Sequence, residues 1–65
     1  MKVLIKNFFD GGIEHSFSIN PQTTIPRVGE ELVIEGEHYT VMEILWDLDQ
    51  SQIELTVSRM ARLLL

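Results

Sequence analysis

His38-Tyr39-Thr40-Val41-Met42-Glu43-Ile44-Leu45-Trp46 is the stretch whose reading decides the fold. Tyr39 and Val41 share one parity, whereas Met42, Ile44 and Trp46 fall on the other, so the apolar phase slips by one residue near Met42-Glu43. Successive side chains of a strand point to opposite faces. An unbroken strand therefore cannot bury both sets on one side. A β-bulge can, because one extra residue moves every later side chain to the opposite face and bends the strand. The phase slip predicts a long bulged strand with Tyr39, Val41, Ile44 and Trp46 buried and Glu43 exposed. Long bent strands let small sheets curl toward closure.

Upstream of this strand, Leu32 and Ile34 alternate with Glu31, Val33 and Glu35, and Gly36-Glu37 supplies a tight turn. Downstream, Asp47-Leu48-Asp49-Gln50-Ser51 is a polar loop, followed by a fifth strand in which Ile53, Leu55 and Val57 oppose Glu54, Thr56 and Ser58. Near the N-terminus, Lys2 to Phe9 is rich in β-branched and aromatic residues, and Asp10-Gly11-Gly12 marks a turn. Ile13, His15, Phe17 and Ile19 then share one face, with Glu14, Ser16 and Ser18 on the other. Pro21 and Pro26 interrupt the pattern by fixing φ and removing two backbone donors.

These signals predict one all-β domain over residues 1–65, with a hairpin at 2–19, a loop at 20–29, a meander at 30–58 and a tail at 59–65. The expected architecture is a five-stranded, strongly bent antiparallel sheet or small barrel. Its first and last strands are expected side by side, which sets Lys2 and Lys6 across from Glu54. The tail Arg59-Met60-Ala61-Arg62-Leu63-Leu64-Leu65 suits a short helical turn, too short to hold unless it is docked. Burial of Met60 to Leu65 against the barrel or a subunit is expected, because each leucine removed from water contributes about 1.5–3 kcal/mol.

The segment Val28-Gly29-Glu30-Glu31-Leu32-Val33-Ile34-Glu35-Gly36-Glu37-His38-Tyr39-Thr40-Val41 resembles the early meander of small SH3-like barrels. There a Val-Gly turn leads to a short strand, a Gly-containing hairpin and a Tyr-x-Val strand. The resemblance covers roughly the last two thirds of the chain and implies a fold, since such barrels serve unrelated functions. The aromatic groove of peptide-binding SH3 domains and the basic loop of nucleic-acid-binding relatives are not evident in these residues.

Sixty-five residues make room for a single core. No cysteine is present, which removes disulfides, thiolate nucleophiles and Cys-based metal sites, and fits a reducing, cytoplasmic setting. Lys6-Asn7 cuts the N-terminal apolar run below signal-peptide length, and no segment approaches the roughly 18 apolar residues of a spanning helix. The formal charge is −5, and between Val28 and Ser58 stand eight acidic residues with no Lys or Arg. Phosphate contacts dominate nucleic-acid binding, so this half of the chain repels it.

Asp47-x-Asp49-x-Ser51 has the alternation of a calcium loop, but Gln52 and Ser58 stand where that loop needs Gly and a bidentate Glu. A turn held by Asx-type hydrogen bonds is expected instead. His15 and His38 match no metal-ligand spacing; His15, on the apolar parity, is expected to be partly buried with a hydrogen-bond partner, and His38 solvated. No catalytic residue, metal ligand or cofactor is assigned, since so small a barrel fills its interior with side chains.

Apolar excess carries the functional expectation. Phe8 and Phe9 are consecutive, so one must leave the core, and the tail ends in three leucines. Phe8, Trp46, Met60, Leu63, Leu64 and Leu65 form the candidate partner surface of a non-enzymatic protein–protein interaction or assembly module, self-association included. No membrane or small-molecule partner is expected. Two alternatives remain: a nucleic-acid-binding small barrel using Lys2, Lys6, Arg27, Arg59 and Arg62, and a small metal-binding or catalytic domain.

Overall fold

The computed structural model describes residues 1–20 and 24–59. Strands β1 (Lys2–Asn7), β2 (Ile13–Ser18), β3 (Glu31–Ile34), β4 (Glu37–Asp47) and β5 (Gln52–Arg59) form one sheet in the order β2-β1-β5-β4-β3. The sheet curls into a half-barrel, and no helix occurs among the described residues. Arg59, expected in the tail, ends β5; the helical turn expected beyond it lies outside the described residues.

The first and last strands meet as expected, but in parallel. The sheet is therefore mixed, not wholly antiparallel as the sequence pattern suggests. The reason is one of direction: successive strands here alternate, so the first and fifth point the same way and pair only in parallel. All other pairings are antiparallel. Among the described residues β2 and β3 do not pair with each other, and these two edges leave the half-barrel open. The proline-containing loop bridges them in sequence, and Ile19 and Ile25 pack from it against the core.

The bulge falls where the phase slip places it. Val41 lies opposite Val57, Glu43 opposite Thr56 and Ile44 opposite Leu55, so Met42 is the extra residue. Tyr39 and Val41 before it, and Ile44 and Trp46 after it, consequently share the concave face. Two rows of side chains cross that face over four strands: Phe17-Val3-Ile53-Trp46 and His15-Ile5-Leu55-Ile44. The core consists of Val3, Ile5, Tyr39, Val41, Ile53, Leu55 and Val57, none more than 2% exposed. Leu32, Ile34 and Ile44 pack against it from the flank, and Glu43 is exposed as expected.

Two side chains depart from expectation. Trp46 is 53% exposed although it faces the core side, because its row ends the sheet and β3 reaches only as far as Thr40 on β4. Ile13 also leaves the core face. A register shift between Ile5 and Lys6 pairs Ile13 with Lys6 on the convex side, where it is exposed. His15 and Phe17 keep the concave parity, but β2 is an edge strand and Phe17 stays partly uncovered.

The β3–β4 turn is made by Glu35 and Gly36, at φ of 51° and 82°. Two successive positive φ values fit the right-handed twist of a hairpin, but glutamate has no preference for that region, whereas asparagine does. Replacing Glu35 by Asn should stabilise the fold by up to about 1 kcal/mol. Leu55→Ala, in the middle of the central strand, should cost about 2–5 kcal/mol. Urea denaturation of the three proteins checks both, with a lowered midpoint for Glu35→Asn or an unchanged one for Leu55→Ala contradicting this packing.

Candidate interaction surface

Beyond its bulge, β4 carries Glu43, Leu45 and Asp47 on the convex side, opposite Thr56, Glu54 and Gln52 of β5. Its other edge is covered only in part. β3 pairs with Glu37 to Thr40, and two further bonds, Gly29 N–H to Val41 O at 2.8 Å and Val41 N–H to Glu30 O at 2.9 Å, extend the ladder by one residue. From Met42 to Asp47 no backbone hydrogen bond reaches β4 from that side among the described residues. Large apolar side chains are exposed along the same run: Met42, Leu45 at 57% and Trp46, with Val28 of the preceding loop nearby. A shallow depression of about 450 Å³ opens between Val28, Met42 to Leu45, and the Lys6-Glu54-Thr56 surface of β1 and β5.

The charges around this region are partly neutralised. Lys6 Nζ lies 3.0 Å from Glu54 Oε1, an ion pair across the parallel β1–β5 ladder with both side chains largely covered. Lys6 stands beside Thr56 and Glu54 beside Leu4, so the contact is diagonal. Glu43 forms no ion pair among the described residues. Asp47 Oδ1 accepts a hydrogen bond from Gln50 N–H at 3.2 Å, which holds the β4–β5 turn in the Asx manner expected. At the far end of β4, Arg59 Nε sits 3.7 Å from Glu37 Oε2, and its guanidinium lies 6.0 Å from the Tyr39 ring centre. Hydrogen bonding to Tyr39, and then the charge of Glu37, raise the Arg59 pKa above its ordinary value. His15 Nε2 lies 3.5 Å from the Tyr39 hydroxyl, with the rings edge to face at 6.2 Å. That is the partnered, half-buried histidine its parity implies.

Of the expected partner surface only Phe8 and Trp46 lie among the described residues, and these two are not adjacent. Phe8 is exposed at the β1–β2 turn, where its N–H donates to Val57 O and its ring meets Phe9 edge-on at 5.6 Å. Trp46 pairs with Ile53. Val57 and Ile53 are separated along β5 by about 13 Å at the usual rise of a strand, so Phe8 and Trp46 belong to opposite ends of the sheet. Met60, Leu63, Leu64 and Leu65 lie outside the described residues. Leu45, Met42 and Val28 are the members missed. Three consecutive apolar residues, Ile44-Leu45-Trp46, signal an outward side chain by the logic that Phe8-Phe9 does, and Leu45 is that side chain.

No charged side chain is buried, and no group of three potential metal ligands occurs, among the described residues. What this arrangement offers is apolar area beside a strand edge. Compared with protein-family models, curated proteins and solved structures, the chain matches none.

The Lys6–Glu54 pair should couple weakly. A double-mutant cycle with Lys6→Met and Glu54→Gln should return about 0.2–1 kcal/mol, decreasing with added salt. A coupling above roughly 2 kcal/mol, or one indifferent to salt, would show that the pair acts as a buried one.

Proposed function

We propose that this domain is a non-enzymatic protein-interaction or assembly module whose contact surface is centred on the second half of β4. The observation that carries the proposal is the coincidence of exposed Leu45 and Trp46 with the stretch of β4 that lacks a neighbouring strand among the described residues. A strand edge presents rows of unpaired donors and acceptors, and contiguous apolar area beside one marks a place where another chain gains by docking. A protein partner fits better than nucleic acid, because Lys6 and Arg59 are engaged with carboxylates and the acidic residues between Val28 and Ser58 oppose phosphate. The half-barrel suits a small β-barrel; its assignment to the SH3-like group rests on the Val28–Val41 pattern, and the cytoplasmic setting on the absence of cysteine.

A photo-crosslinking amino acid placed at position 45, with position 18 on the polar part of the convex face as reference, tests the proposal in the native cell. A discrete protein adduct from 45 and none from 18 is expected. Leu45→Thr should shift folding stability by no more than about 0.5 kcal/mol, as befits an exposed position, while weakening binding of the captured protein at least tenfold. Equal adducts from both positions, or undiminished binding by Leu45→Thr, would overturn the assignment.

A further inference from the structure

Taking the interaction-module reading as its basis, we infer that the open edge of β4 from Met42 to Asp47 receives an extended partner segment of alternating basic and apolar residues as an added strand. The edge is long enough: six residues span about 20 Å, the length of an ordinary strand. Backbone donors and acceptors on this side of β4 have no partner strand among the described residues, so an incoming chain completes a ladder already begun by Gly29 and Glu30 at Val41. Affinity in this mode comes from main-chain hydrogen bonds, and selectivity from what alternate side chains meet.

The two faces dictate those side chains. On the concave side an added strand lies beside Ile44 and Trp46, extending the two apolar rows that cross the sheet. Alternate residues of the segment are therefore apolar. On the convex side it lies beside Glu43 and Asp47, with Leu45 between them and Glu31 further along the edge. Lys6, the cation in the adjoining depression, is already held by Glu54, so the edge presents unneutralised negative charge. The remaining residues of the segment are thus Lys or Arg, and opposite charges across a ladder stabilise it. A second copy of this chain suits the edge less well. An antiparallel pairing of two such edges about Leu45 sets Glu43 against Asp47 of the other copy, and each copy brings a net charge of −5.

Acetyl-Lys-Val-Lys-Val-Lys-Val-Lys-amide is the probe, read by the emission of Trp46, the only tryptophan, and by amide exchange followed residue by residue. Saturable binding is expected, with slowed exchange confined to Met42–Asp47 and their neighbours. A Glu-for-Lys peptide should bind at least tenfold more weakly, and so should a peptide N-methylated at the alternate residues that face β4, which keeps its charge but loses its ladder donors. Glu43→Gln should weaken the parent peptide several-fold. Equal binding by the N-methylated peptide would reduce the interaction to charge attraction, and no binding up to about 1 mM would refute the proposal outright. Protection of 42–47 that rises with protein concentration alone would assign the edge to a second copy. Protection in the dilute monomer that is lost on deleting residues 60–65 would assign it to the chain's own tail. Either result overturns the inference. A continuing adduct from position 45 alongside any of these failures leaves the interaction-module reading intact, and loss of the adduct as well removes both.

Discussion

The parallel pairing of β1 with β5 is the contact on which the rest of the molecule depends. It sets Val3 beside Ile53, Ile5 beside Leu55 and Asn7 beside Val57, and five of those six side chains are among the seven that form the core. Without it the chain is a two-stranded hairpin and a three-stranded meander, neither with enough apolar area to stand alone at this size. With it β5 has neighbours on both sides and the hydrophobic faces of both pieces merge. The pairing joins residues about fifty positions apart in sequence, so its loop-closure entropy cost is the largest of any pairing in the sheet. Local turns such as Asp10-Gly11-Gly12 and Glu35-Gly36 reduce that cost by fixing each half beforehand.

The bulge at Met42 is the second constraint, because it lets one strand serve two purposes. Before it, Tyr39 and Val41 face the core under β3; after it, Ile44 and Trp46 face the same side where β3 no longer covers them. Without the extra residue, Glu43, Leu45 and Asp47 would turn onto the concave face, setting the Glu43 carboxylate against the core beside Leu55 and sending Ile44 and Trp46 outward. The bulge therefore protects the core and, by the same displacement, sets Glu43, Leu45 and Asp47 along the open edge of the convex face.

Much of this is legible in the residues. Five strands, the bulge, the outward Glu43 and the buried Tyr39 and Val41 all follow from period-2 alternation and turn chemistry, which are local, whereas the approach of Lys6 to Glu54 follows from expecting the terminal strands of a small barrel to pair. What the residues do not show depends on which strand neighbours which. Period-2 alternation reads the same in either strand direction, so the parallel sense of the β1–β5 contact is invisible to it. A parity rule likewise has no means of knowing that β3 stops at Thr40 and leaves Trp46 half uncovered. Ile13 escapes the pattern because the slip between Ile5 and Lys6 leaves no apolar signature, unlike the slip at Met42. The candidate surface suffers in the same way. Trp46, whose parity puts it on the core face, is exposed, Phe8 stands at the other end of the sheet, and Leu45 hides among apolar neighbours that face inward.

An exposed strand edge is normally a hazard, and proteins blunt it with charges, bulges or short strands. β4 carries two of these devices: Met42 bulges at the start of the open run, and Glu43 and Asp47 flank Leu45 along it. Such devices do not close an edge to every chain. They raise the cost for a like-charged or indiscriminate partner and leave it low for a segment that brings opposite charge in register. Selectivity of this kind is a difference of affinities, obtained by repelling the wrong chain as much as by attracting the right one. Under the proposed docking mode, the carboxylates that would repel a second copy of this acidic, 65-residue chain are the same groups that would recognise a cationic strand.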